Sequence, residues 1–581
     1  MPLHNADMAA IFSEIADLLE IQGANPFRVR AYRNAARAVG EFGKSVSTMI
    51  EQNEDLKGIR GVGNDLAEKL REIAATGKCG LLEQLHHEMP AAITELLEIQ
   101  GLGPKRVRAI HDALHVRTLE QLHRAAKEGK IRDLPGFGEK TEAHIIETIE
   151  AHLHKSRRFK LALAEQYAQP LIACLRRTPG VGEAVVAGSF RRRCSTVGDL
   201  DLLVTARDAA AVTERFVRYD EVAEVLSSGE TRSSVVLRSG IQVDLRVVAP
   251  ASFGAALVYL TGSKAHNIAM RRIAQQRGLK INEYGVFRGE KRIAGDTEAS
   301  VYATIDLPWI PPELRENRGE LRAAAAQRLP TLIQLADLSG DLHAHTKASD
   351  GHDDLLDMAL AARERGLSYL AITDHSSRLA VTHGLDAKRL AQQIDEIDRI
   401  NRTLQGIVLL KGIEVDILED GHLDLPDAIL KRLDVVVGAV HSHFNLPRER
   451  QTERVLRAMT HPSFSILAHP TGRLIGERDP YDIDLVRVIR KARACGCHLE
   501  LDAHPDRLDL ADIYCQMAKA EGVLISIDSD AHSRFDFDNL RRGVDEARRG
   551  WLEKHDVLNS RSLDQLRPLL GRTAVGKVAS A

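Results

Sequence analysis

The chain has no disulfide framework. Its six cysteines (Cys79, Cys174, Cys194, Cys495, Cys497 and Cys515) show neither framework spacing nor a paired C-x-x-C zinc motif. Reduced thiols in a cytosolic protein are expected, and Cys495 and Cys497, just before "HLELD", read as small buried strand residues. There is no apolar run near the roughly 20 residues of a membrane span. The opening "NADMAAIFSEIADLLEIQG" lacks the basic-then-apolar order of a signal peptide and reads as an amphipathic helix. Nor is there a charge excess: a net charge of -3 gives no global basic field, so any affinity for nucleic acid has to come from local groups. These absences exclude a secreted disulfide scaffold and a membrane protein, and point to the cytoplasm.

What the chain has is length and repetition. Its 581 residues exceed what one core usually serves, so several domains are expected. Up to about residue 155, helical patterns are broken by a recurring unit: "GIRGVGNDLAEKL", "EIQGLGPKRVRAI" and "DLPGFGEKTEAHI". Each is an apolar residue, a Gly-x-Gly turn and then a helix. One copy could be simple capping. Three copies point to helix-hairpin-helix units, in which backbone N–H groups at a helix N-terminus meet a phosphate without reading a base. Gly61, Gly63, Gly101, Gly103, Gly136 and Gly138 are the candidate DNA-binding glycines.

From about 180 the texture turns to strands, and "GDLDLLVT" sets Asp199 and Asp201 two apart, on one face of a strand. Asp244, in "IQVDLRVV", supplies a third carboxylate from another β-like run. Three carboxylates on adjacent strands form a hard oxygen site suited to Mg2+, which fills its shell with phosphate oxygens. Upstream, "GSFRRR" offers Ser189 as a hydrogen-bonding group and Arg192 as a fork of donors for phosphate. Together "GSFRRRCSTVGDLDLLVT", "VDLR", "YLTGSKAHN" and "INEYGVF" resemble the palm and thumb of a family X DNA polymerase, the DNA polymerase beta type. The resemblance implies that Asp199, Asp201 and Asp244 bind two metals and activate the primer 3'-hydroxyl. It implies that Ser189, Arg192 and Gly198 hold the triphosphate, Tyr259 and Gly262 lie against the sugar, Asn267 meets the base edge and Arg271 lies near the template. Two departures stand out: Leu260 where the family often has Phe, and Gln242 in place of an arginine near the third aspartate.

"NPFRVRAYRNAARAV" and "GVGNDLAEKLREIAATGK" are similar to the lyase domain of the same family, with Lys69 at the Schiff-base position. That nucleophile needs a depressed pKa. Asp65, one turn earlier, favours the charged ammonium instead, so DNA-end binding is expected rather than lyase chemistry. Arg28, Arg30 and Arg33, with Tyr32 interleaved, are expected to grip the 5'-phosphate side of a gap.

After residue 340, nine candidate ligands appear in order at the ends of apolar runs: His343, His345, Asp350, His375, Glu414, His441, His469, Asp530 and His532. Barrels of parallel strands gather functional residues at that end. This stretch resembles the polymerase-and-histidinol-phosphatase (PHP) domain, which implies a distorted (β/α)7 barrel with up to three ions. Imidazole with carboxylate suits Zn2+ or Mn2+, and such a metal can provide hydroxide at neutral pH for attack on a phosphoester. His443 is expected to support this site from behind, and His383, His422 and His504 to be surface residues.

The expected fold is therefore multidomain: a helical helix-hairpin-helix N-terminal domain, an α+β nucleotidyltransferase palm and thumb, and a C-terminal α/β distorted (β/α)7 PHP barrel. The boundaries fall at 1–90 (lyase-like), 91–155 (helix-hairpin-helix, fingers-like), 156–250 (palm), 251–320 (thumb), 321–338 (linker) and 339–575 (PHP). The expected activity is short-gap filling with a 3'–5' exonuclease, with abasic-site endonuclease and 3'-phosphatase steps as additional activities of the same barrel, in a monomer binding gapped or primer-template DNA and deoxynucleoside triphosphates. A phosphatase with a decayed N-terminal part would show a broken aspartate triad. A DNA-end scaffold would tolerate lost metal ligands. Neither loss is present.

Overall fold

The computed structural model describes residues 5–42, 46–59, 61–88, 93, 96–97, 99, 102–116, 118–154, 158–378 and 382–570. They form two compact units, Met1–Arg157 and Arg158–Ala581.

The first unit is helical. α1 (Asn5–Ile21) and α2 (Pro26–Glu41) pair through Met8, Phe12, Ile15 and Leu19 on one side and Val29, Tyr32 and Ala36 on the other. Asn25 starts α2 by accepting from the Phe27 N–H, with Pro26 preset for the first turn. α3 (Asn64–Thr76), α4 (Pro104–Leu114) and α5 (Glu139–His154) each begin directly after the second glycine of a repeat, Gly63, Gly103 or Gly138.

The second unit begins with a five-stranded sheet. Its strands are β1 (Val181–Val186), β2 (Asp199–Ala206), β3 (Val222–Ser228), β4 (Arg232–Leu237) and β5 (Gln242–Val248), in the order β1-β2-β5-β4-β3. The pleat of β2 sorts its sequence. Leu200, Leu202 and Val204 point into the palm core, so Asp199 and Asp201 project from the opposite face. On that face Leu203 packs against Ala256 and Leu257 of α7 (Phe253–Thr261), which is followed by α8 (Lys264–Gln276). α6 (Gly188–Arg191) is a single turn leading out of β1.

The barrel strands are β6 (Gly340–Asp341), β7 (Tyr369–Ile372), β8 (Val408–Asp416), β9 (Val435–Ala439), β10 (Ile466–Leu467), β11 (His498–Asp502) and β12 (Ile525–Asp528). Seven parallel strands stand in sequence order, and the bridge Ala344–Ala531 brings the first and last edges together. The strands are buried on both faces, as parallel strands beneath helices require.

The segment read as a linker is no free tether. Leu332 packs in the thumb core, while Ile333 and Leu338 lie in the barrel core. A second seam is α9 (Leu540–Arg549), whose Leu540, Val544 and Ala547 face the barrel core. Its charged side meets the polymerase-like part: Arg541 donates to Glu165 (2.8 Å), Arg548 to Glu313 (2.8 Å) and Arg549 to Glu316 (3.0 Å).

Candidate active sites

In the palm, parallel pairing of β2 with β5 sets Asp201 beside Asp244 and Asp199 beside Gln242. Gly188, at φ +61°, lets the backbone pass close by: a Cβ there would lie 2.4 Å from Asp201 Oδ2. Burial, then the charges of Asp199 and Asp244, push the Asp201 carboxyl up to about 7, although Arg246 and Arg192 oppose this. Burial and Asp244 also raise Asp199. Asp244 accepts from the Ser234 hydroxyl and from Gln242 Nε2 (3.1 Å). Gln242 thus stays engaged with the third carboxylate as a neutral donor. Hard oxygen donors that repel one another fit a divalent cation.

Around this triad, Ser189 sits on α6, and Gly198 immediately precedes β2. Arg192 is held by Glu316 (2.9 Å) and by the Thr261 carbonyl (2.5 Å), beside the Gly262 turn at φ +69°. Tyr259 is exposed beneath the Arg246 guanidinium. Asn267 Nδ2 donates to the Tyr259 carbonyl (2.8 Å), which ties α8 to the end of α7, and Arg271 lies one turn further along α8 and is exposed.

In the helical unit, a Cβ at Gly63, Gly103 or Gly138 would meet nothing within 4 Å, and Gly61 and Gly136 take φ of +71° and +84°. The first glycine of these turns answers a backbone need; the second leaves open the approach to a helix N-terminus. Gly101 lies outside the described residues. Lys69 Nζ donates to Asp65 (2.5 Å). Burial acts to depress its pKa, but Asp65 and Tyr32 outweigh it and raise it. Two expected phosphate contacts are otherwise occupied. The Tyr32 ring is 3% exposed and packs edge-on against Phe12, because α2 turns that position into the core. Arg33 is paired with Asp17 and Glu20. Arg28 and Arg30 remain exposed.

The barrel site is denser. Eight of the nine candidate ligands fall into three overlapping groups whose donor atoms lie within 4.8 Å of one another: His345, Asp350, His375 and His532; His343, His345 and Asp530; His375, Glu414 and His441. His345 and His375 are the shared members. His469 adjoins them, with Nε2 3.0 Å from Glu414 Oε1. Four buried donor atoms, His343 Nε2, His345 Nδ1, Glu414 Oε2 and His469 Nδ1, have no hydrogen-bond partner. Orphaned buried donors demand an explanation, and mixed imidazole and carboxylate donors fit Zn2+ or Mn2+.

Charge alternates through this cluster. Burial opposes charge on His441 and His532, yet Glu414 and Asp416 raise His441 to about 9 and Asp350 raises His532 to about 10. Burial and the neighbouring His532 and His375 push His345 down to about 4, and burial and Arg507 push His469 down to about 3. Glu500 and Asp416 hold ligands from behind: Glu500 Oε1 is 2.6 Å from His343 Nδ1, and Asp416 Oδ1 is 2.8 Å from His441 Nδ1. The sequence carried a signal for both in the inward-facing alternation of "EVD" and "HLELD". His443 does not support the site, and His504 is not a fully exposed surface residue. His443, at φ +55°, stands out towards Glu419 with its side chain 47% exposed. Burial depresses the pKa of His504 to about 4, and His504 feels the charge of Asp530. A further group, Glu553, His555 and Asp556, already holds a cation: the Lys519 ammonium lies 2.9 Å from both carboxylates.

The fold and these two clusters define a class: a nucleotidyltransferase-type palm and thumb joined to a parallel barrel with candidate metal ligands, following a helix-hairpin-helix unit in the chain. Family models agree along the chain. A helix-hairpin-helix domain matches residues 3–79, a SAM-like helix-hairpin-helix tandem 93–151, the DNA polymerase beta thumb 256–316 and the PHP domain 341–527. The chain is 38% identical over 577 residues to the "DNA polymerase/3'-5' exonuclease PolX" of Bacillus subtilis (strain 168), covering 98% of this chain and 100% of that protein. It therefore belongs to the bacterial family X DNA polymerases that carry a PHP domain. Likeness to the DNA polymerase lambda of Arabidopsis thaliana is 24% over 54% of this chain and 62% of that protein. A probable phosphatase of Thermoanaerobacter sp. (strain X514) is 28% identical over only 38% of this chain and 89% of its own length. No helix among the described residues is long and apolar enough to cross a membrane.

Proposed function

We propose that this chain is a DNA-directed DNA polymerase that fills short gaps, and that its barrel is a 3'–5' exonuclease that trims the ends to be extended. The observation that carries the reading is the full-length likeness to a protein named for both activities, joined to an intact aspartate triad and nine barrel ligand positions. The domain limits are those read from the sequence, with 321–338 a largely exposed segment pinned through Leu332, Ile333 and Leu338. Abasic-site cleavage and 3'-phosphatase action are further reactions the same barrel chemistry would serve. The working form is a monomer in the cytoplasm, on gapped DNA.

When bound, Mg2+ at the palm would neutralise charge on the attacking and leaving oxygens, and Zn2+ or Mn2+ at the barrel would let water ionise near neutral pH. The chain's residues do the rest. Asp199, Asp201 and Asp244 would hold the palm ions, with Ser234 and Gln242 fixing Asp244. Ser189, Arg192 and Gly198 would orient the triphosphate, and Tyr259, Gly262 and Asn267 the sugar and base. Arg271 would face the template. In the barrel, His343, His345, Asp350, His375, Glu414, His441, His469, Asp530 and His532 would hold up to three ions. The hairpin glycines, with Arg28, would hold backbone phosphates without sequence preference. Lys69, kept charged by Asp65, serves end binding rather than Schiff-base chemistry.

The test is primer extension and primer degradation on one gapped duplex. Asp201→Ala should cut nucleotide addition about a thousandfold, because losing a metal ligand removes several kcal/mol of transition-state stabilisation. Degradation of the 3' end should continue. Wild-type extension by this variant would refute the polymerase assignment.

A further inference from the structure

Arg192 does not reach its place through the palm alone. Its Nε donates to Glu316 Oε1 (2.9 Å) and its Nη1 to the Thr261 carbonyl (2.5 Å), at the turn that ends α7. Glu316 is in turn gripped from the barrel: Arg549 Nη1 lies 3.0 Å from the same Oε1 and also donates to the Arg192 carbonyl (2.8 Å). The other arm of Arg549 is anchored within the barrel, where Nη2 donates to Asp512 Oδ2 (2.7 Å). Arg549 itself is 7% exposed. One guanidinium on α9 therefore fixes both the side chain and the main chain that position Arg192.

We propose that Arg549, a barrel residue, is a positioning residue for nucleotide binding in the palm, acting through Glu316 on Arg192. The inference rests on the reading of Arg192 as a triphosphate ligand. A long arginine loses rotamer freedom when it binds, so a side chain already fixed by two acceptors gives up less on meeting the nucleotide. Glu316 occupies Nε, the Thr261 carbonyl takes one N–H of Nη1, and Nη2 meets only the weakly accepting Cys194 sulfur at 4.0 Å, so a phosphate would compete for Nη2 and the second N–H of Nη1. Without Arg549, Asp512 would keep Arg318 (2.9 Å), but Glu316 would be held by Arg192 alone instead of by two guanidinium groups. Glu316 and Arg192 would then move as a pair, and the Arg192 carbonyl would lose its donor. A lysine at 549 would restore the charge but not the fork that serves Glu316, the Arg192 carbonyl and Asp512 together.

Full-length Arg549→Ala, Arg549→Lys, Glu316→Gln and Arg192→Ala variants test this through two readouts. One is the split of kcat and KM for the next deoxynucleotide in extension. The other is equilibrium binding of that nucleotide to a gapped duplex whose primer ends in a dideoxynucleotide, which involves no turnover. Arg549→Ala should weaken nucleotide binding and raise KM about five- to twentyfold, leave kcat within about twofold, and leave 3' degradation at the wild-type rate. Arg549→Lys should recover part of the loss. Adding Glu316→Gln to Arg549→Ala should cost less than about a further twofold, since both changes break one link. Unchanged or tighter nucleotide binding in Arg549→Ala overturns the inference. If Arg192→Ala also binds nucleotide normally, the reading of Arg192 fails as well; if Arg192→Ala weakens binding and Arg549→Ala does not, the relay alone fails. Should Arg549→Ala lose degradation too, as a misfolded barrel would, Glu316→Gln decides with the same two outcomes.

Discussion

The palm and the barrel solve the same problem, holding cations next to phosphate, with opposite electrostatics. The palm gathers three carboxylates with two arginines at a distance, and the repulsion shows in Asp201, pushed up to about 7. The barrel interleaves six imidazoles with three carboxylates, and His441 and His532, raised beside Glu414 and Asp350, offset part of the carboxylate charge. One site is unfinished until cation and nucleotide arrive together. The other mixes imidazole with carboxylate and keeps buried ligand atoms without a hydrogen-bond partner. The contrast suits a metal that comes and goes with substrate in the palm and one that stays in the barrel.

The strongest test of that contrast removes the barrel ligands. In His343→Ala with His345→Ala, 3' degradation should fall by about a thousandfold or more while extension in Mg2+ continues. Metal content after gel filtration without added ions should fall in parallel. If the double variant keeps its bound metal and its nuclease, the barrel is not the resident site.

A smaller effect is expected one layer out. Glu500→Gln or Asp416→Asn should weaken metal retention about ten- to a hundredfold, because each carboxylate fixes a ligand ring through Nδ1. Chelator competition would measure it, and equal retention in variant and wild type would remove these residues from the site.

The palm's repulsion predicts a stabilising lesion. A carboxyl whose folded pKa is raised binds more protons folded than unfolded between about pH 4 and 7, so stability falls as pH rises through that window. Asp201→Asn should therefore raise the melting temperature of the metal-free protein by roughly 1–3 °C at pH 8. The difference should vanish below about pH 4. Melting curves across pH would show it, and a variant less stable at pH 8 would contradict the palm side of the comparison. The smallest change is Gly103→Val, which should weaken gapped-DNA binding by a few-fold regardless of sequence and flatten its salt dependence by about one phosphate. Loss on some sequences and not others would mean that these turns do not hold phosphate.

How far the sequence foretold this differs by element. Strands, barrel and ligands were legible because period-2 alternation put Asp199 with Asp201, and strand ends carried each histidine. Burial of particular side chains was not. Tyr32 sits among arginines in the sequence, yet the 3.6-residue turn carries it onto Phe12. His443 shares strand spacing with His441, but the strand ends at Ala439 and the chain turns at His443 itself, at φ +55°. His504 is half-buried in a turn whose Arg507 and Leu508 N–H groups donate to its carbonyl, which strand spacing alone does not show. The arginines of "LRRGVDEARR" look like a solvated helix face; only tertiary contact reveals Glu165, Glu313 and Glu316 opposite them.

That seam also decides how a mismatched primer end is handled. Palm, thumb and barrel belong to one compact unit, stitched by Leu332, Ile333 and the α9 arginines. Among the described residues palm and barrel are not joined by a free tether, so an end passing from one to the other would have to leave the first. Proofreading in such a molecule is a race between leaving the palm and adding the next nucleotide, and its accuracy is set by how long the duplex stays put.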